Sequence, residues 1–335
     1  MSDLLAEFRR RLPFPTPSRL LVACSGGPDS MALADLADRY RRETGAFVAV
    51  GHVDHGLRGR AARVDAAFVE RWCLSRGLPV DVQRVHVRQG ARRRRKGVEE
   101  AARHFRYAAL ARSARKFRCP WVLTAHTLGD QAETIVLNLL RGAGPAGLAG
   151  MAADAPWPSG AGPRLGRPLL GVSRDEILAY LQKRKIPWRK DATNDEPLFL
   201  RNRIRPTLRR WERWRPGFFA RMAQTAQIFR DEEEYWRRRL VPTREGHRRK
   251  NAPFRLDIAP FLRYPIVEQR RRLRHLFGLA HFESVERVRA LAAAPSGGSP
   301  RGPLDLPGVR VARAGRFLLF RYRRPGTKSG RRSLQ

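Results

Sequence analysis

Three cysteines in 335 residues leave no basis for a disulfide framework. Cys24, Cys73 and Cys119 lie far apart, form no CxxC pair and match no metal-ligand spacing. Free thiols in a reducing cytoplasm are the expectation. No apolar run approaches the ~20 residues a membrane span needs, so no membrane partner is expected. The first eleven residues, Met1 to Arg11, lack a long apolar stretch and are expected to form a short amphipathic helix, not a signal peptide. Acidic residues are scarce, 31 Asp+Glu against 68 Lys+Arg, for a formal net charge of +37. No internal repeat is present.

An enzyme of small neutral substrates has no use for such a field, whereas a polyanion does. Arginine supplies nearly all of the charge, and its planar guanidinium makes bidentate contacts to phosphate and stacks on bases. The excess is uneven. Residues 201–335 hold 34 Lys+Arg and 11 Asp+Glu, the denser share, which points to that half as the one handling the polyanion. Trp211, Trp214, Trp236 and several Phe lie among its arginines, most of them expected to form core.

The first 150 residues alternate strand-like runs with helical patterns. Strands are expected at Leu20–Cys24, Phe47–Val53, Val80–Val85 and Trp121–Ala125. Helices are expected at Asp29–Arg42, 62–76, Val98–Lys116 and Asp130–Leu140. This βαβ alternation gives an α/β class with a parallel sheet, where ligands sit beyond the C-terminal strand ends. Ser25–Ser30, His52–Arg58 and His126–Asp130 all fall at such ends. Residues 142–168, rich in Gly, Pro and Ala, read as a long loop. Residues 173–185 read as a helix capped by Ser173, with Glu176 at the capping-box position. Arg92–Lys96 is a basic run in a loop. From about Arg205 to Ala294 the pattern is helical, and Val309–Arg313 with Arg316–Phe320 reads as a β-hairpin around Ala314-Gly315. The expected domains are 1–205, 206–294 and 300–324, with a disordered tail over 325–335.

Ser25, Gly26, Gly27, Pro28, Asp29 and Ser30 join the first strand to the first long helix. A turn of this kind aims backbone N–H groups and a helix N-terminus at one point, which suits a phosphate chain. No Lys follows the glycines, so this is not a Walker A loop. It resembles the pyrophosphate loop of ATP pyrophosphatases, which implies a cut between the α- and β-phosphates and transfer of AMP.

Three more segments narrow the resemblance: His52-Val53-Asp54-His55-Gly56-Leu57-Arg58, the run from His126 to Thr134, and Asp191-Ala192-Thr193-Asn194 ahead of Arg201-Asn202-Arg203-Ile204-Arg205. Together with the loop they resemble the tRNA(Ile)-lysidine synthetase family over residues ~18–210, and Leu304–Val309 extends the likeness nearly to the end. The fold so implied is a pyrophosphate-loop α/β domain, then a mainly helical domain and the C-terminal hairpin. The implied reaction uses ATP, Mg²⁺, L-lysine and a tRNA(Ile) with a CAU anticodon. C2 of the wobble cytidine is adenylated through its oxygen, the ε-amine of lysine attacks C2, and AMP leaves. The codon read then changes from AUG to AUA. One departure stands out, since the family usually has paired aspartates after His-Thr-x and Gly129 replaces the first of them here.

The residues permit the following roles. Ser25 to Ser30 hold ATP phosphates. Asp29 is a Mg²⁺ or geometry-fixing carboxylate, or a helix cap. His126 is a catalytic acid or a phosphate contact. Asp130 holds the lysine ammonium, shares the Mg²⁺ with Asp29, or caps its helix. Arg106 resembles the family's helix Arg facing the active site, or lies on a solvated face. His52, Asp54, His55 and Arg58 shape the nucleotide and base pocket, and nothing supplies them with a matching metal set. Arg201, Arg203 and Arg205 are phosphate contacts or struts between domains. The rivals are a tRNA thiolase, which needs paired cysteines or a cluster; an amidotransferase-type synthetase, which needs an ammonia source; and a non-catalytic RNA-binding protein, against which the intact loop argues. Oligomeric state stays open, a homodimer included.

Overall fold

The computed structural model describes residues 4–12, 19–56, 59–87, 97–189, 200–240, 254–279, 281–295 and 302–322. The chain forms two compact units, one of Met1–Gly142 with Gly147–Ile228, the other of Ala143–Ala146 with Phe229–Gln335.

The first unit opens with α1 (Leu4–Arg10), β1 (Arg19–Ala23), α2 (Pro28–Thr44), β2 (Phe47–Asp54), α3 (Arg60–Leu74), β3 (Val80–Arg84), α4 (Val98–Lys116), β4 (Trp121–Leu123) and α5 (Leu128–Leu140). Leu20, Leu21 and Val22 are fully buried, because helices cover both faces of the parallel sheet. On one face Met31, Leu33 and Leu36 of α2 pack with Phe8 of α1 and Val69 of α3. On the other, Leu110 and Tyr107 of α4 pack with Trp157 and Leu165. Each such side chain contributes roughly 1.5–3 kcal/mol by leaving water. Gly51 of β2 is where α4 comes closest: a Cβ there would lie 3.1 Å from Leu110 Cδ2 and 3.3 Å from Leu21 Cδ2.

The stretch 142–168 is not a plain loop. It holds α6 (Pro145–Leu148), β5 (Asp154–Ala155) and β6 (Arg164–Gly166). β6 pairs parallel with β4, and β5 closes the edge antiparallel. The sheet order is β3-β2-β1-β4-β6-β5. The chain runs outward from β1 through β2 to β3, then returns to place β4 on the other side of β1. The order therefore reverses between β1 and β4, which is where open α/β sheets form a ligand crevice. Next come α7 (Arg174–Lys183), α8 (Leu200–Trp214) and α9 (Phe218–Arg239). Ser173 and Glu176 do form the expected capping box, with the Glu176 N–H donating to Ser173 Oγ at 3.2 Å and the Ser173 N–H to Glu176 Oε2 at 2.9 Å.

The second unit holds β7 (Phe254–Asp257), α10 (Ile258–Arg263), α11 (Ile266–Phe277), α12 (Phe282–Ala293), β8 (Leu304–Leu306), β9 (Val309–Ala314) and β10 (Phe317–Tyr322). The expected hairpin is present as β9 and β10, but it sits inside a four-stranded antiparallel sheet, β7-β10-β9-β8. Phe277 of α11 stacks on Phe320 of β10 with ring centroids 3.7 Å apart. Phe261, Leu273, Val288, Val311 and Leu318 share that core. Helices and hairpin are thus one folding unit, because neither layer alone can bury its apolar face. The unit boundary falls inside α9, beyond the expected break at 205. Trp211, 41% exposed and packed edge-on against Phe218, and Trp214, 82% exposed, belong to the first unit and not to this core. The tail over 325–335 lies outside the described residues.

Candidate nucleotide site

β1 ends at Ala23, and the loop it feeds is held by its own serines. The buried Ser30 hydroxyl donates to the Gly27 carbonyl at 2.9 Å and accepts the Ser25 N–H at 3.1 Å. The Ser25 hydroxyl, on an exposed residue, lies 3.1 Å from it. Gly26 adopts φ +88°, a conformation glycine takes without strain. Gly27 gives α2 no side-chain cap. Pro28 has no N–H and the Met31 N–H bonds the Gly27 carbonyl at 2.9 Å, so the N–H groups of Asp29 and Ser30 are the ones this 17-residue helix turns toward an anion.

From β2, His52 supports the chain leading into the loop, and Asp54 shapes the turn that follows β2. His52 Nδ1 donates to the Cys24 carbonyl at 2.9 Å, and burial lowers its pKa, so the ring is neutral. Asp54 Oδ1 accepts the Gly56 N–H at 2.8 Å and turns the chain after β2. His55 follows half-buried; Arg58 and Asp191–Asn194 lie outside the described residues, as does Arg92–Lys96.

Across the switch point, the loop after β4 carries Thr124, His126 and Thr127. The Thr127 N–H donates to Asp130 Oδ2 at 2.9 Å. Asp130 therefore caps α5 with Oδ2, while Oδ1 lies 3.9 Å from Arg201. Asp29 is bound by Arg174 of α7 at 3.1 Å. Burial raises the Asp29 carboxyl above its usual range; Arg174 opposes this and the negative charge of Asp130 adds to it. The two carboxylates thus belong to one electrostatic site.

The opposite wall is cationic. His126 Nδ1 lies 2.9 Å from Thr124 Oγ1. Burial, then Arg167, Arg106, Arg201 and Arg103, push its pKa well below the ordinary imidazole range. His126 is therefore a neutral group at physiological pH, which suits a hydrogen-bonded phosphate contact and not an imidazolium acid. Arg106 of α4 faces this cluster, its guanidinium 5.4 Å from the Tyr107 ring. Burial lowers its pKa. Arg201 and Arg205 of α8 grip Glu133 of α5: Arg201 Nε to Oε2 at 2.8 Å, Arg205 Nε to Oε1 at 2.6 Å. They are struts within the first unit. Arg203 is exposed on α8.

Arg167, just past β6, is the residue sequence reasoning missed. It is 6% exposed, donates through Nη1 to the Ala152 carbonyl at 2.6 Å and leaves Nε with no protein partner. A buried guanidinium N–H without an acceptor requires an anion or water. The available signal was an Arg directly after Leu165-Gly166, but it lay in a segment read as loop. Glu133, Arg174 and Arg103 were also missed.

Residues 3–211 match the PP-loop domain family. The chain is 35% identical to the tRNA(Ile)-lysidine synthase of Solibacter usitatus, over 91% of this chain and 68% of that protein. With the tRNA(Ile)-lysidine synthase of Gloeobacter violaceus the identity is 36%, over 88% of this chain and 90% of the relative. The chain belongs to the tRNA(Ile)-lysidine synthase family. It spans less of other members: 44%, 50% and 59% of three more. Among solved structures, the U34-tRNA thiolase NcsA from Methanococcus maripaludis, with its [4Fe-4S] cluster, aligns with TM-score 0.57 at 16% identity, over 68% of this chain and 78% of that one. That likeness is one of fold. No group of three metal-ligating side chains occurs among the described residues, and no described helix is long and apolar enough to cross a membrane.

The three cysteines of this lysidine synthase family member are all buried. Burial pushes the Cys73 thiol up to about 12 and the Cys119 thiol up to about 11, and raises Cys24. None is a thiolate at neutral pH.

Proposed function

We propose that this chain converts the wobble cytidine of a CAU-anticodon tRNA(Ile) to lysidine, using ATP and L-lysine and releasing AMP and pyrophosphate. The observation that carries the reading is the pairing of an uncapped helix N-terminus with a cage of Arg106, Arg167 and Arg201 across the β1–β4 switch point. The loop N–H groups and Ser25 hydroxyl receive the departing pyrophosphate. Arg106, Arg167 and the neutral His126 hold the α-phosphate while O2 of cytidine attacks it. The deprotonated lysine ε-amine then attacks C2 of the adenylated base, the C2–O bond breaks, AMP leaves, and the proton lost from nitrogen goes to solvent water.

An arginine cage repels an ammonium ion, so lysine enters from the acidic side. Asp130 Oδ1, 3.9 Å from Arg201, takes that ammonium in exchange for the guanidinium. Asp29 and Asp130 offer the hard oxygen donors that Mg²⁺ takes, and their mutual repulsion is what a cation would relieve. Bound there, Mg²⁺ would neutralise charge on the leaving pyrophosphate. The basic surface of residues 201–335 suits the tRNA backbone. The buried, protonated thiols speak against sulfur transfer. A cytoplasmic enzyme fits this chemistry. The test is mass analysis of nucleosides after incubation with ATP, Mg²⁺, isotope-labelled lysine and total tRNA. Label in a cytidine-derived nucleoside is expected; label-free tRNA, or a thiolated base, overturns the reading.

A further inference from the structure

A second basic cleft lies outside the nucleotide site, where α2, α3 and α7 end. It measures about 430 Å³ and is lined by Asp38, Arg39, Arg42, Ser75, Arg76 and Arg184. At its base stand the side chains of Asp35 and Asp38, 0% and 1% exposed. Their oxygens are already engaged. Asp35 accepts from Arg76 at 2.8 Å, Arg184 at 3.3 Å and the Tyr180 hydroxyl at 2.5 Å. Asp38 accepts from Arg41 at 2.7 Å and Arg42 at 3.0 Å.

The charge does not cancel. Arg39, Arg41, Arg42, Arg76 and Arg184 face two carboxylates, an excess of three positive charges. The helix C-termini offset about half an elementary charge each, so a net positive site remains. Each guanidinium carries five N–H donors, and two saturated carboxylates cannot use them all. Arg39 is the clearest case: its contact here is Nη1 to the Tyr180 hydroxyl at 3.4 Å, not a carboxylate. Two Asp would suffice as a clamp for three helix ends; they do not account for the surplus donors around an open cleft.

We infer that this cleft binds a phosphate group, supplied either by the tRNA backbone or by a free phosphate ion. The strand and helix directions separate it from the nucleotide site. The C-terminal strand ends carry the PP loop, while these helix C-termini lie toward the opposite, N-terminal ends of the strands. The tRNA arm rests on the proposed substrate; the free-phosphate arm does not.

The test uses the full chain with the nucleotide site filled by Mg²⁺–ATP. Two variants are compared with wild type. Arg39→Gln/Arg42→Gln removes two of the donors and keeps the Arg76 and Arg184 clamps. Ser75→Glu keeps every arginine and puts a negative charge on an exposed position of the cleft wall, so it decides the matter if the double variant does not fold. Thermal unfolding is followed against inorganic phosphate, and tRNA affinity against salt. Wild type is expected to show a phosphate-dependent rise in Tm, and both variants to lose it. If the phosphate is tRNA's, the slope of log K against log[salt] also becomes shallower, by about 0.7–0.9 per lost contact. An unchanged slope with the phosphate response lost assigns the site to the free ion. A phosphate response equal to wild type in the folded variants overturns the site, whatever the tRNA slope does, because only diffuse electrostatics would then remain.

Discussion

Glu133 joins α5 to α8, and Glu133→Gln measures how much that join contributes. The carboxylate is 8% exposed and accepts three bonds: Arg201 Nε at 2.8 Å, Arg205 Nε at 2.6 Å and Arg205 Nη2 at 3.1 Å. Gln keeps the shape and one acceptor oxygen but removes the charge. A charge-assisted bond contributes about 1.5–3 kcal/mol and a neutral one about 0.5–1.5. Both arginines stay charged, so the loss is the bonding at the oxygen replaced by NH2 plus the ion-pair attraction, about 2–3 kcal/mol together. Breaking a fully buried pair costs about 3–5 kcal/mol, but the Arg201 and Arg205 side chains are 25% and 23% exposed, which favours the lower figure. The loss falls on the docking of α8. Amide hydrogen exchange in α8, read by mass spectrometry, is therefore expected to speed up about 30- to 150-fold. Exchange in α2 should hold its wild-type rate. Unchanged exchange in α8 would refute the strut, and equal acceleration in α2 would show that the unit unfolds as a whole.

Three further outcomes follow from the titrating groups. Because Asp29 binds its proton more tightly folded than unfolded, its contribution to stability falls as pH rises from the ordinary carboxylate value through the raised one. Asp29→Asn is expected to melt no lower than wild type at pH 7 while losing AMP release; a clearly lower Tm at pH 7, with the gap closing in acid, would reverse the sign. His126 is already neutral, so AMP release between pH 6 and 8 should show no histidine inflection, and an inflection there that His126→Gln abolishes contradicts its assigned state. Native alkylation of Cys73 at pH 8 should be very slow, since a thiol at about 12 leaves roughly one thiolate in 10,000; rapid labelling coupled to loss of turnover would reopen sulfur chemistry.

The pyrophosphate loop and the parallel strands were legible because they are local: an apolar run, two glycines and a helical pattern sit within 20 residues. β6 was not, because three residues among Gly and Pro carry no period, and its place was set by pairing with β4. Missing β6 meant missing Arg167, whose meaning comes from standing at a strand end. The Glu133–Arg205 pair spans 72 positions, beyond any spacing rule. In the second unit the hairpin was visible through its turn, but β7 reaches β10 from 60 residues away, so helices and hairpin read as separate parts. Of the roles read for Asp130, the cap is the one the structure shows, with Oδ2 on the Thr127 N–H, while Oδ1 lies 3.9 Å from Arg201.

In the proposed function the crevice between β1 and β4 joins lysine to tRNA at the expense of ATP. The most direct measurement is incorporation of labelled lysine into two transcripts of tRNA(Ile), one with a CAU anticodon and one with UAU, with AMP counted alongside. One AMP per lysine on the CAU transcript alone, abolished by Arg167→Leu, is the expected result. AMP formed without lysine in tRNA, or equal labelling of both transcripts, would contradict it.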